Sequence, residues 1–264
     1  MLMITHTWVL KEFLGAGVLQ EDNLDLFTYN IAPDILCFHK TITPELTHGI
    51  SRFRILPSGH KKASFVHFHL LTDDIAHYGK IGDRSDNDFI PDSDGYSYVK
   101  GRQLIQPIHD FHKSIGNEVS YSQTAYRAHI IIEMAFDLVL YQKKHEAHDL
   151  VSLFYEALNH TVGYKIAEFS RTLEWLYGIE RAVIIEAMQQ GLAACTLERI
   201  NSFMNMEGRI CLYIDKFGLD KNDDHTRTGI RDLMLQGMAL VSDYKEFIYP
   251  TFQAIRDSGF INPL

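Results

Sequence analysis

The chain has 264 residues, 46% of them hydrophobic and 22% charged, enough to bury one large core or two small ones. A formal net charge of −9 excludes a protein that tracks a nucleic-acid backbone, which needs an excess of Lys and Arg. The opening MLMITHTWVLKEF has no basic leader and is interrupted by His6 and Lys11, so neither a signal peptide nor a transmembrane segment is expected, and the expected compartment is cytoplasmic.

Almost every periodic stretch reads as helix. Ile4, Trp8, Leu10 and Leu14 recur at helical spacing over 3–16, with Gly15 and Gly17 as the stop. DNLDLFTYNI, residues 22–31, starts at Asp22 or Asn23 as N-cap and is expected to end at Pro33. TPELTHGISRF, from Thr43, predicts a short helix with Pro44 at its first position. A longer helix follows over 62–79. The polar, acidic run from Gly82 to Gly95 predicts a solvated loop, with a lid as the second reading; its aspartates lack EF-hand spacing. Residues 119–144 predict another long helix.

Beyond residue 150 come DLVSLFYEAL, YKIAEFSRTLEWLYG, a long stretch from Glu180 to Phe217, and GIRDLMLQGMALVSDYKEFI, the last two hinged at KFGLDKNDDHTRTG. No segment sustains a period of two, so the expected fold class is all-α. The expected architecture is a single multi-helix bundle over 1–264, with a metal cluster between helices in about 1–145 and an additional helical C-terminal lobe in about 146–264. The aromatics of that lobe, such as Phe154, Trp175 and Phe247, read as core.

The chemistry is concentrated in two stripes. In HFHLLTDDIAH, His69, Asp73 and His77 stand four residues apart, and four residues advance a helix by about 400°, so all three share one face. AHIIIEMAFDL repeats the device with His129, Glu133 and Asp137. Imidazoles and carboxylates together suit zinc or another divalent first-row metal. Glu133 lies among Ile130, Ile131, Ile132, Met134 and Phe136, where an unpaired carboxylate is costly to bury; a cation would resolve that cost, as would a His–carboxylate hydrogen-bond network.

Histidine is also segregated. Ten of the 14 lie between His6 and His129, which points to a site built by the N-terminal half and covered by the rest. His60, beside Lys61 and Lys62, reads as solvent-exposed, and His109 and His112 as surface residues. His145 and His148 follow Lys143 and Lys144 at a helix end, where positive charge suits the dipole. His67 points away from His69 on a helix. Cys37, Cys195 and Cys211 are too few and too scattered for a disulfide framework and read as small buried hydrophobes in a reducing compartment.

These residues resemble the zinc-dependent phospholipase C family and its relatives among zinc-dependent single-strand nucleases. The elements run in the family's order: THTW with His6, APDI with Asp34, THG with His48, HLLTDDIAH with His69, Asp73 and His77, and HIIIE with His129 and Glu133. The resemblance spans roughly residues 1–140. It implies an all-helical metal-dependent hydrolase of a phosphate ester, most plausibly a phosphodiesterase, acting on a small-molecule phosphate ester or lipid head group. Two or three zinc ions are implied, with manganese or iron as alternatives. Asp73 would bridge two ions, one held by His69 and His48 and the other by His77 and His129, with His6 and Glu133 at a third position. Asp34 would be a ligand or the base that activates water, and His39 or His67 are alternatives to His48. The rival readings are a di-iron protein or other metalloenzyme on a helical bundle, and a non-catalytic helical protein with a structural metal or polar network. The oligomeric state stays open.

Overall fold

In a computed structural model the described residues are 2–15, 19–82, 91–143 and 147–263, and the side chains of 143 and 147–149 are not described. Residues 83–90 of the expected Gly82–Gly95 loop, together with Gly17, Lys144 and His145, lie outside the described residues.

The amphipathic stretches become helices α1 (Met3–Leu14), α2 (Leu24–Ile35), α3 (Pro44–His48), α4 (Ser64–Tyr78), α5 (Tyr96–Gly101), α6 (Ile105–Ser114) and α7 (Tyr121–Lys143). They continue as α8 (Ala147–His160), α9 (Ile166–Tyr177), α10 (Arg181–Ala194), α11 (Leu197–Phe203), α12 (Met206–Phe217), α13 (Asp224–Leu240) and α14 (Lys245–Asp257). Among the described residues there is no strand, and the fold is an all-α multi-helix bundle. No described helix is long and apolar enough to cross a membrane.

Several boundaries differ from the sequence expectation, each for a local reason. Helix α2 runs through Pro33 to Ile35. A proline in the last turn sacrifices one backbone bond, and burial of Ile31, Ala32 and Ile35 offsets that loss. The stretch from Glu180 to Phe217 breaks into three helices. Thr196 caps α11 by accepting from the Arg199 amide, and Asn205 caps α12 by accepting from the Gly208 amide. Gly208 itself allows the tight return: a Cβ there would sit 1.9 Å from the Ser202 carbonyl oxygen. The last long pattern divides into α13 and α14. Asp223 starts α13 by accepting from the amides of His225 and Thr226, so the expected hinge is shorter than KFGLDKNDDHTRTG. Helices α5 and α6 occupy a segment with no assigned element in the sequence reading.

One hydrophobic cluster runs from Ile4 through Ile131 and Phe136 to Ile255. Helix α7 lies along α13, α5 and α6, while α2 packs between α4 and α8. Gly237 on α13 permits that closeness, since a Cβ there would be 3.0 Å from Ile131 and 3.2 Å from Ala135 on α7. The C-terminal helices thus share a core with the helices that carry the histidines. Phe154 and Phe247 are buried in it, whereas Tyr249 is exposed.

Candidate metal centre

Helix α1 brings His6, the end of α2 brings Asp34, α3 brings His48, α4 brings His69, Asp73 and His77, and α7 brings His129 and Glu133. Their ligand atoms form three groups: His6, His69 and Asp73; Asp34, His48 and His69; and His77, His129 and Glu133. Within each group these atoms lie within 4.8 Å of one another. Each of the eight residues named for the site in the sequence falls in at least one of these groups.

Asp73 divides its two oxygens. Oδ1 is 3.1 Å from His6 Nε2, while Oδ2 is 3.3 Å from His69 Nε2 and 3.7 Å from His48 Nε2. Asp34 Oδ1 is 3.4 Å from His48 Nε2 and 3.9 Å from His69 Nε2. On the other flank, His77 Nε2 is 2.8 Å from Glu133 Oε1, and its ring meets that of His129 edge-on at 5.7 Å.

These groups differ from the pairing implied by the resemblance: Asp73 groups with His6 and His69, and Glu133 groups with His77 and His129. His77 lies one helical turn beyond Asp73 at the end of α4, and the α7 stripe meets α4 at that turn. Helix α1 meets it at the level of His69 and Asp73. Asp137, the third member of the α7 stripe, is not in these groups. It accepts from Arg209 Nη2 on α12 at 2.8 Å and from the Thr5 hydroxyl, all within the core.

The geometry is held by residues that carry no ligand signature. Asn30 Nδ2 donates to the His6 carbonyl at 2.8 Å, fixing α1 against α2. Arg52 is buried and donates through Nη1 to the carbonyls of His48 and Ile50 at 2.6 and 2.7 Å. Its Nε and Nη2 reach the Asp74 carboxylate at 3.3 and 3.0 Å, so the arginine ties the His48 loop to α4. The Ser93 hydroxyl donates to the His77 carbonyl. Gly95 lies against the same backbone, where a Cβ would be 2.1 Å from the His77 carbonyl carbon. Tyr98 stacks on His129 with ring centroids 4.7 Å apart, and Tyr126 meets it edge-on at 4.8 Å.

The donor set fits divalent cations. His6 and His69 are fully buried and stacked at 3.7 Å. None of their four ring nitrogens completes a well-formed hydrogen bond among the described residues, a cost that ligation removes. Burial, then the charge on His6, pushes the His69 imidazole down to about 4. Burial pushes His129 down to about 3. Burial raises the carboxyls of Asp34, Asp73 and Glu133, but the surrounding histidines and other positive charge outweigh it and hold all three below the usual carboxylate range. Near neutral pH the site therefore offers ionised carboxylates and neutral His69 and His129, the forms that bind metal. His48 goes the other way: burial lowers it, but the hydrogen bond and charge of Asp34 raise it above the ordinary value.

Asp34, His48, Asp73, His77, His129 and Glu133 line a cavity of about 660 Å³, whose remaining wall is mostly apolar and includes Ile200, Phe203 and Leu212 from α11 and α12. The other histidines are accounted for separately. His39 pairs with Glu186 at 3.6 Å and hydrogen-bonds Thr41, and His67 is buried and pushed down to about 4, so His48 is the histidine beside Asp34. His60 is half-buried, stacked on Trp175 at 4.9 Å, contrary to the exposed position expected of it. His112 is fully buried against the Tyr213 hydroxyl, because its face of α6 packs inward; His109 is exposed as expected. Cys195 is buried, Cys37 half-buried and Cys211 exposed, so only one of the three is the core residue expected.

Arg52, Asp74, Tyr98 and Arg209 could not be singled out from the sequence. The spacing from His48 to Arg52 in HGISR is the nearest thing to a signal, since it sets a long cation one turn from a ligand candidate. No protein-family model, curated protein or solved structure matches the chain.

Proposed function

We propose that this protein is a metal-dependent hydrolase of phosphate esters, a phosphodiesterase resembling zinc-dependent phospholipase C. The observation that carries the reading is the division of Asp73: Oδ1 faces His6 while Oδ2 faces His69 and His48, so one carboxylate can serve two cations. His6 with Asp73, Asp34 with His48 and His69, and His77 with His129 and Glu133 would hold the ions, of which zinc best suits the nitrogen-rich donors. When bound, such ions lower the pKa of water and neutralise the non-bridging oxygens of a phosphoryl group. The chain's own part is to fix the ligands, through Arg52, Asn30 and the Tyr98 stack, and to admit substrate through the cavity. Asp34 has a carboxyl held below the usual range and two imidazoles beside it, which supports a ligand role over that of a proton acceptor.

The test uses the full chain purified without a metal-affinity step. Elemental analysis should find about two or three divalent ions per chain, the number of ligand groups permitting. A bis-aryl phosphate should be hydrolysed, chelation should abolish turnover, and Zn²⁺ or Mn²⁺ should restore it. Asp34→Asn should lower metal content and turnover together. A fully metallated protein inert toward phosphodiesters, phosphomonoesters and carboxylic esters would sink the enzyme reading and leave a structural metal or polar cluster.

A further inference from the structure

The charges around the cavity do not cancel locally. Among its lining residues, Arg52 is neutralised by Asp74 at 3.0 Å and Arg209 by Asp137 at 2.8 Å. Asp34, Asp73 and Glu133 belong to the histidine groups. Two cations remain, Arg199 on α11 and Lys216 on α12, and they take part in none of the ion pairs among the described residues. Their contacts are aromatic. Arg199 lies 5.7 Å over the Phe203 ring and Lys216 5.6 Å over Tyr126. Tyr126 in turn meets His129 at 4.8 Å, so the Lys216 ammonium stands one aromatic ring away from the candidate ligands.

Resting on the hydrolase reading of the same cavity, we infer that the substrate is a phosphoric ester bearing a second anionic group, and that Arg199 and Lys216 bind that group while the histidine–carboxylate cluster faces the reacting phosphate. Three features support the assignment. Both side chains are exposed on the cavity that carries the histidine–carboxylate groups, and neither pairs with a carboxylate among the described residues, so both charges are open to an anionic ligand entering it. Arginine presents a planar fork that matches a phosphate or carboxylate, and lysine adds a point charge. The same cavity is lined by the apolar side chains Ile200, Phe203 and Leu212, which suit a short uncharged spacer between the two anionic ends. A substrate with a cationic head group would instead meet two like charges here. Arg199 and Lys216 are thus specificity-determining residues, acting on the non-reacting end of the substrate.

The experiment compares matched esters on the metal-loaded full chain: p-nitrophenyl alkyl phosphodiesters whose alkyl arm ends in a carboxylate, or in the uncharged amide of equal length. The expected result is a kcat/KM about tenfold higher for the carboxylate, the scale of one charge-assisted contact. In Arg199→Gln/Lys216→Gln that ratio should fall close to one, and Arg199→Lys/Lys216→Arg should retain most of it. Metal content equal to that of the unaltered protein certifies that each variant is intact. A ratio of one in the unaltered protein, or a ratio unmoved by the double glutamine variant, overturns the inference.

A calorimetric arm separates this inference from the hydrolase reading. Propane-1,3-bisphosphonate should bind about tenfold more tightly than methylphosphonate, and the advantage should vanish in the double glutamine variant. An advantage that depends on these two residues, in a protein that turns over no ester, would uphold the anion site and sink the hydrolase reading. Turnover of simple diesters with no such advantage would do the reverse.

Discussion

Asp73 and Asp74 are neighbours with opposite duties, and their variants should fail in different ways. Asp73→Asn removes the charge shared by the His6 and His69 sides, so metal content and turnover should fall sharply. Asp74→Asn leaves the buried Arg52 guanidinium without its counter-charge, and breaking a buried pair costs about 3–5 kcal/mol. Its denaturation midpoint should therefore drop in the metal-free protein, measured by urea melts, with metal loss following from a loosened His48 loop. From the sequence alone Asp74 looks like the harmless neighbour, about 100° around the helix. The Arg52 contact overturns that. Arg52→Lys should give a milder form of the same defect, because an ammonium cannot serve two carbonyls and a carboxylate at once in fork geometry.

At the scale of elements, the segment before α5 supports the end of α4. Gly95→Ala would place a methyl group inside the His77 backbone, so the segment must shift and take the Ser93 contact with it. Metal titration should show the loss concentrated at the His77–His129–Glu133 group, while far-ultraviolet circular dichroism stays helical. Retention of every ion would mean that the His77 backbone is held by other means. The helices that place ligands were legible because each ligand stripe follows the period of 3.6 that also defines the helix, as in HLLTDDIAH and HIIIE. What was not legible depends on pairings between distant residues. Nothing local to Asp137 distinguishes it from Glu133 four residues earlier; only Arg209, 72 residues on, draws it out of the site. The partition of the eight residues into three groups was hidden for the same reason, since it depends on the level at which α1 and α7 cross α4. The three-way break of 180–217 turned on two capping side chains, Thr196 and Asn205, which periodicity does not register.

Across the whole molecule, buried imidazoles set the acid limit. His67, His69 and His112 are pushed down to about 4 and His129 to about 3, chiefly by burial. A folded-state value below the unfolded value of about 6.5 means that the unfolded chain binds more protons between the two. Their contribution to stability is thus complete above about pH 6.5 and is lost as pH falls toward 4. The lowered carboxyls of Asp34, Asp73 and Glu133 act in the same direction, but only below about pH 4. His48, raised by Asp34, opposes the trend, its contribution being present at low pH and lost as pH rises. The metal-free protein should therefore show a urea midpoint that falls steadily from pH 7 to pH 5, with proton uptake on unfolding. In the metal-loaded protein the drop should coincide with release of the ions, read by a chromogenic chelator. A midpoint unchanged between pH 7 and 5 would contradict the buried, neutral state of these histidines.

The Asp137–Arg209 pair has a further consequence during synthesis. A nascent chain that has cleared the ribosome as far as α8 holds every candidate ligand from His6 to Glu133, yet carries Asp137 without the guanidinium that lets it enter the core. Until α12 emerges, closing α1 onto α7 would bury that carboxylate beside the Thr5 hydroxyl but without its arginine partner. The order of events is set by this delay: ion capture should wait for residue 209, and fragments ending near residue 145 should bind metal as loose, exchangeable chains. Force-sensitive arrest of chains of increasing length should accordingly register folding only after α12 has left the tunnel.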